Sequence, residues 1–279
     1  MKSNITLIVL TYNEELNLEK CLRSVDGLVS EIIIVDSGST DKTKEISEKY
    51  GARFVVHEFK NQADQFNWAL DNIEIKGDWV MRLDADEELL PELKKEIEEK
   101  ISGLPEGVSG VVLRRRTYFL GKWMKHGGIY PTELLRIFRK GRGASENREM
   151  DEHLILKDGE SVIFKNDFID NNLSPLKSWL SKHRNYAKRE ARVYFKELQA
   201  DGVGDVLNSQ AGGKRHLKNR VYYSLPPFFR ALAYFIYRYF IKLGFLDGFN
   251  GFLYCFLHAL WYRSLVDLEI IKLKHFKSK

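Results

Sequence analysis

Two aspartates one residue apart, Asp84 and Asp86, close the run Trp79-Val80-Met81-Arg82-Leu83-Asp84-Ala85-Asp86. Carboxylates at this spacing are hard oxygen ligands suited to Mg²⁺ or Mn²⁺ held against a diphosphate. The apolar residues ahead of the pair predict a buried strand that carries both acids to its C-terminal edge, where open α/β sheets bind their ligands. An acidic surface turn before a Glu-rich helix is the competing reading of the triplet taken alone.

The elements that position such a pair are legible around it. The continuous aliphatic run Ile5-Thr6-Leu7-Ile8-Val9-Leu10 predicts a strand covered on both faces, ending at Thr11-Tyr12-Asn13. A helix is expected to follow, with Glu14 and Glu15 in its first turn and Leu16, Leu18, Cys21, Leu22 and Val25 near one face. Glu31–Val35 predicts a second strand, which ends in the polar loop Asp36-Ser37-Gly38-Ser39-Thr40-Asp41, with Asp41 placed to cap the next helix. Arg53–Val56 and Trp79–Leu83 predict the third and fourth strands. Strands alternating with helices imply an α/β fold, a doubly wound and mostly parallel sheet whose polar strand ends share one crevice. A dinucleotide-binding domain is disfavoured, because no Gly-x-Gly-x-x-Gly turn follows the first strand.

Thr11-Tyr12-Asn13-Glu14, the Asp36–Asp41 loop and Asp84-Ala85-Asp86, in this order, resemble the nucleotide-sugar-binding half of family 2 inverting glycosyltransferases of the A-type fold. Gln62–Leu70 is similar to the segment that bacterial lipopolysaccharide and exopolysaccharide members carry before the Asp-x-Asp strand, and the likeness weakens past about Leu156. The resemblance implies metal-dependent transfer of a sugar, with a UDP-hexose as first choice of donor, to a hydroxyl of a lipid-linked or polysaccharide acceptor. It assigns Thr11, Tyr12, Asn13, Glu14 and Asp36 to the nucleotide, Asp84 to the ribose or the water shell of the metal, and Asp86 to the Mn²⁺ or Mg²⁺ itself. Packing against the sheet is the competing reading for Tyr12, and a loop cap for Asp36.

Inversion requires a general base. The resemblance points to the acidic pair Asp151 and Glu152 in Arg148-Glu149-Met150-Asp151-Glu152-His153, with Asp151 the first choice. If the pair lies on a strand, its side chains face opposite ways and only one reaches the acceptor. His153 is read as a metal ligand or a hydrogen-bonded loop residue. Leu134, Leu135, Ile137 and Phe138 alternate with Arg136 and Arg139 and predict a further strand, in which Arg136 meets the diphosphate or lies on a solvated edge. Trp123 and Tyr130 either stack on a sugar or pack.

At 279 residues the chain exceeds one catalytic domain, and its net charge of +5 is unevenly spread. Residues 1–175 carry 25 Lys and Arg against 32 Asp and Glu, whereas residues 176–242 carry 14 against 4. Three parts are expected: a nucleotide-sugar-binding half over 1–110, an acceptor-side half over 111–172, and a basic, aromatic helical region over 173–279. The last opens with a basic helix through His183, Arg184, Lys188 and Arg189, passes a loop over Asp201–Gly213, and turns aromatic from Tyr222 to Leu265. No stretch reaches the roughly 20 apolar residues of a transmembrane helix. A helix pair lying in the membrane interface, or an aromatic subdomain that packs on the core or mediates a homodimer, accounts for that composition. His183, Arg184 and Arg189 then face an acceptor diphosphate or simply solvent.

Cys21 and Cys255 predict no disulfide, and Met-Lys-Ser-Asn leads straight into a strand, which predicts no leader. The expected location is cytoplasmic, peripheral on the inner face of the plasma membrane, with no nucleic-acid partner. A non-catalytic nucleotide or polyanion binder using the basic aromatic tail is the alternative.

Overall fold

A computed structural model describes residues 3–148, 150, 152–199 and 222–277. The expected loop over Asp201–Gly213 lies outside the described residues. The chain divides into two compact units, Met1–Trp123 with Pro131–Leu173, and Met124–Tyr130 with Ser174–Lys279.

The first unit is built on β1 (Ser3–Thr11), β2 (Val29–Asp36), β3 (Arg53–Val56) and β4 (Trp79–Asp84), with α1 (Leu18–Ser24), α2 (Thr43–Lys49) and α3 (Gln62–Asn72) between them. It continues through β5 (Glu87–Leu89), α4 (Pro91–Lys100), β6 (Val108–Phe119), β7 (Lys122–Trp123), β8 (Thr132–Arg139), β9 (Gly143–Ser145), β10 (Leu154–Leu156) and β11 (Glu160–Asp170). The main sheet runs β3-β2-β1-β4-β8-β6-β11-β5. The first four strands are parallel, β8 joins β4 and β6 antiparallel, and β11 is parallel to β6. The sheet is therefore mixed beyond β4. A boundary at residue 110 falls inside β6, so the two expected halves share one continuous sheet.

Alternation explains why β1 and β4 read as unbroken apolar runs. Ile5, Leu7 and Val9 with Met81 and Leu83 join the helical residues Leu18, Leu22, Leu93 and Ile97 in one core. Ile8 and Val80 point the other way, onto Phe66, Ala69 and Phe138. Both faces of the parallel strands are covered, as buried parallel sheets require. At Gly77, just before β4, an added Cβ would fall 2.6 Å from the main-chain nitrogen of Thr6, so only glycine permits this approach to β1.

The first helix starts at Leu18 rather than in the Glu14-Glu15 turn. The N–H groups of Glu14 and Glu15 are drawn to Thr43 Oγ1 and Asp41 Oδ2, at 2.9 and 3.0 Å, so this segment is tied across to the neighbouring loop. Leu16 is accordingly exposed, while Leu18, Cys21, Leu22 and Val25 are buried.

The second unit holds α5 (Leu176–Gln199), α6 (Phe229–Ile236) extended by a wider turn over Tyr237–Ile241, α7 (Gly248–Cys255), and α8 (Tyr262–Lys277). Ala187 and Ala191 of α5 pack on Tyr262, Val266 and Ile270 of α8. Among the described residues no single helix is long and apolar enough to cross a membrane; Phe229–Ile241 and Gly244–His275 form a pair bent by 71°. Small residues make the bend: a Cβ on Gly251 would run into the carbonyl oxygen of Gly244.

Candidate active site

Two loops at the carboxyl ends of β1 and β2 are stitched together by side chains. Asp36 is buried, and its carboxylate accepts from Thr11 Oγ1 at 2.8 Å, from the N–H groups of Gly38 and Ser39 at 2.8 and 2.7 Å, and from Ser39 Oγ. Asn13, at φ +54°, accepts the Thr40 N–H through its side chain at 2.9 Å and donates its own N–H to Ser39 Oγ at 2.8 Å. Asp41 caps the Thr43 N–H at 3.0 Å. The loop-cap reading of Asp36 is thus observed directly. Tyr12 stands 59% exposed at the rim of this platform, with its ring free to meet a planar ligand. Glu14 turns to Asn17, whose Nδ2 donates to it at 2.7 Å.

The second part of the site is a cluster of acids and arginines around the end of β4. Arg82 lies 3.4 Å from Asp84, Arg136 contacts both Asp84 and Glu87, and Arg115 lies 3.4 Å from Asp170 at the end of β11. Asp86 receives Asn172 Nδ2 at 2.8 Å, and its carbonyl accepts the Asn171 N–H at 2.9 Å. The environments of the acids diverge. Burial alone would raise Asp84, yet the guanidinium groups of Arg82, Arg136 and Arg115 hold it below the usual carboxylate range. Burial, with the charges of Asp170, Asp84 and Glu87, pushes Asp86 well above that range. Burial also pushes Glu87 up to about 7, against the opposing pull of Arg136. Asp170 is raised by burial despite Arg115.

This cluster is what the donor chemistry of a cation site must answer to. Among the described residues no group of three or more His, Cys, Asp or Glu is arranged to cage a metal. The donor set fits a different class, a divalent ion held by one or two carboxylates while substrate phosphate and water complete its shell. Asp86 sits where surrounding negative charge makes a proton or a cation the preferred partner. The residues present therefore fit Mn²⁺ or Mg²⁺ at Asp86, with Asp84 alongside.

Asp151, the first choice of base, lies outside the described residues. Glu152 is brought to the cluster: its carboxylate lies 3.7 Å from Arg82 Nη2, the same nitrogen that faces Asp84. Glu152 and His153 precede β10 and are not on a strand, so the strict alternation expected of a strand does not govern where Glu152 points. Arg136 is neither on a solvated edge nor open to solvent; Glu87 and Asp84 engage it, and its guanidinium lies over Phe168. Trp123 carries the Arg116 guanidinium on its ring, 4.4 Å from the centroid, so that face is taken. Tyr130 and His183 belong to the helical unit, where His183 stacks on Trp179.

Sequence reasoning missed Arg82, Glu87, Asp170, Arg115 and Asn172. The polar end of β11, Asp170-Asn171-Asn172, was the available signal, a strand terminus that carries an acid and two amides.

The sequence model of the family described as Glycosyl transferase family 2 matches residues 6–165, more than half of the chain. An uncharacterized glycosyltransferase of Rickettsia bellii is 41% identical over 98 residues, covering 35% of this chain and 33% of its relative. The lipopolysaccharide core biosynthesis glycosyltransferase LpsC of Rhizobium meliloti is 31% identical over 147 residues, covering 51% of this chain and 53% of its own length. The chain thus spans about a third to a half of the length of these curated relatives. Among solved structures, glucosyl-3-phosphoglycerate synthase from Mycobacterium tuberculosis, crystallised with Mn²⁺, UDP and glucosyl-3-phosphoglycerate, is 26% identical with a TM-score of 0.32, covering 42% of this chain and 44% of that one.

Proposed function

Because this chain belongs to glycosyltransferase family 2, with an A-type fold, we propose that it is a metal-dependent inverting enzyme that moves a hexose from a UDP-sugar to a hydroxyl of a lipid-linked or lipopolysaccharide acceptor. The observation that carries the reading is the carboxylate cluster at the end of β4, where burial and the negative charges of Asp170, Asp84 and Glu87 raise Asp86 well above the usual carboxylate range. A divalent ion bound there would neutralise the diphosphate as the nucleotide departs. Asp86 would hold that ion, and Asp84, kept ionised by its arginines, would sit beside it.

The stitched β1 and β2 loops present Tyr12 and Asn13 to the base and ribose, and Asp36 fixes their shape from below. The acceptor hydroxyl attacks the anomeric carbon from the face opposite the nucleotide and gives its proton to a carboxylate, Asp151 or Glu152. Glu152 is supported by its closeness to Arg82, which ties it to the Asp84 side of the cluster. The acceptor class is supported by the likeness to LpsC, and the UDP-hexose by the motif resemblance. An acceptor of this kind is membrane-borne, so the reading implies peripheral work at the inner face of the plasma membrane.

The test is transfer by Asp151→Asn and Glu152→Gln. One of the two is expected to lose turnover about 100-fold or more, the scale of general-base catalysis, while donor binding measured by calorimetry is unchanged. Full turnover in both variants contradicts the base. A panel of nucleotide sugars with Mn²⁺ identifies the donor by the rise in melting temperature that binding to the native state produces.

A further inference from the structure

The helical unit turns its charges inward and its hydrocarbon outward. Four charged residues lie between Tyr222 and Leu257, and three of them are buried. Arg230 pairs with Asp267, Asp247 takes both the N–H and the ring nitrogen of His126 at 2.9 and 2.8 Å, and Arg238 donates to the Gly127 carbonyl at 2.9 Å. Lys242 alone of the four is exposed. Along the same stretch the exposed side chains are apolar: Phe229, Phe240, Ile241, Leu246 and Phe249 are 57, 55, 67, 54 and 74% exposed. From Pro226 to Phe252, Tyr237 and Lys242 are the only exposed residues with polar side chains.

Water does not favour such a surface, and this density of exposed hydrocarbon marks an interaction site. A protein partner is the poorer fit, because protein interfaces carry about one hydrogen bond per 100–200 Å² and a polar rim. This face offers almost nothing to bond. Hydrocarbon requires no such bonds, but it does require that every backbone group be satisfied from within. The bend meets that condition at several points. The N–H groups of Lys242, Leu243 and Leu246 reach the carbonyls of Tyr237, Phe240 and Leu243 at 2.8, 3.3 and 3.0 Å, and the Lys242 carbonyl accepts the Gly127 N–H at 2.7 Å.

Length fixes the mode. The first arm, Phe229–Ile241, has 13 residues, which at 1.5 Å each is about 20 Å, short of the roughly 30 Å hydrocarbon core. The 71° bend then turns the chain aside before it has crossed. We propose that the bent hairpin centred on Leu243 inserts its apolar face into one leaflet of a phospholipid bilayer and does not span it. Lys242 lies 5.6 Å from the Tyr237 ring, a pair suited to the level of the lipid phosphates. The inference rests on the helical unit alone and stands whether or not the transfer reaction proposed above is correct.

Flotation of the full chain with vesicles tests it, using phosphatidylcholine alone and phosphatidylcholine with phosphatidylglycerol, at low and high salt. The protein is expected to float with both vesicle types and to stay bound at high salt, because apolar insertion is not screened. The double variant Ile241→Asp with Phe249→Asp, checked for unchanged circular dichroism, is expected to partition at least about tenfold less, since two apolar anchors are lost. A Leu246→Cys variant labelled with a polarity-sensitive dye gives a second readout should that variant misfold, and its emission should shift blue on phosphatidylcholine vesicles. Failure of the wild type to float, binding confined to anionic vesicles and abolished by salt, an unshifted dye, or a dimer dissolved by the double variant without vesicle binding would each overturn the proposal.

Discussion

Arg136 is the side chain on which the charge balance of the acidic cluster turns. It is buried against Phe168 and faces Glu87 and Asp84. Replacing it by Met keeps much of the volume and leaves both acids without their shared cation. Removing one partner of a buried ion pair typically costs about 3–5 kcal/mol. Arg136→Met should therefore lower the free energy of urea unfolding by that order, and a loss under about 1 kcal/mol would show that water already screens the pair. Glu87, already held up at about 7, should rise further in the variant. The sequence exposed only part of this cluster. Asp84 and Asp86 were legible because they are neighbours on one strand end. Asn172, 86 residues from Asp86, and Arg136, 52 from Asp84, meet the cluster only after the sheet has brought β8 and β11 beside β4 and β5.

At the scale of elements, one glutamate fastens a helix to a strand irregularity. β11 shifts register against β6 between Ile163 and Asp167. The N–H groups freed there, those of Lys165 and Asn166, donate to the Glu96 carboxylate of α4 at 3.1 and 3.0 Å, and Asn166 Nδ2 adds a bond of 2.9 Å. Burial would raise this carboxyl, but Lys100 and the Asn166 and Lys165 N–H groups together hold it below its ordinary 4.5. A lowered carboxylate stabilises the native state fully above the unfolded value and loses that contribution as pH falls through the folded one. Glu96→Ala should thus destabilise by about 1–3 kcal/mol at neutral pH, through buried N–H groups left without a partner. The gap between variant and wild type should close as unfolding is followed below pH 4.5. A gap independent of pH would assign the effect to packing. Patterning showed β1 to β4 and the body of α1 well, because both periods are strong there. It misplaced the start of α1, where the cross-loop bonds of Glu14 and Glu15 override the helical preference of an acidic first turn.

At the scale of the molecule, the uneven charge of the sequence maps onto two units of different make-up. The acidic half folds as the α/β unit with its carboxylate cluster, and the basic, aromatic remainder holds the helical unit with an apolar outer face. Aromatic composition announced the second unit, yet the sequence did not reveal which way its charges point. Asp247 meets His126, 121 residues earlier, and only that long-range pairing turns it inward. A non-catalytic binder of polyanions would use the basic side chains and leave the acids of the first unit idle. Calorimetric titration of the whole chain with the donor found by the nucleotide-sugar panel separates these accounts most directly. The wild type should bind it with Mn²⁺ and lose binding with a chelator, and Asp86→Asn should bind at least about tenfold more weakly with Mn²⁺ present. Equal affinity in the chelator, or in the variant, would contradict a cation held by Asp86 as the basis of function.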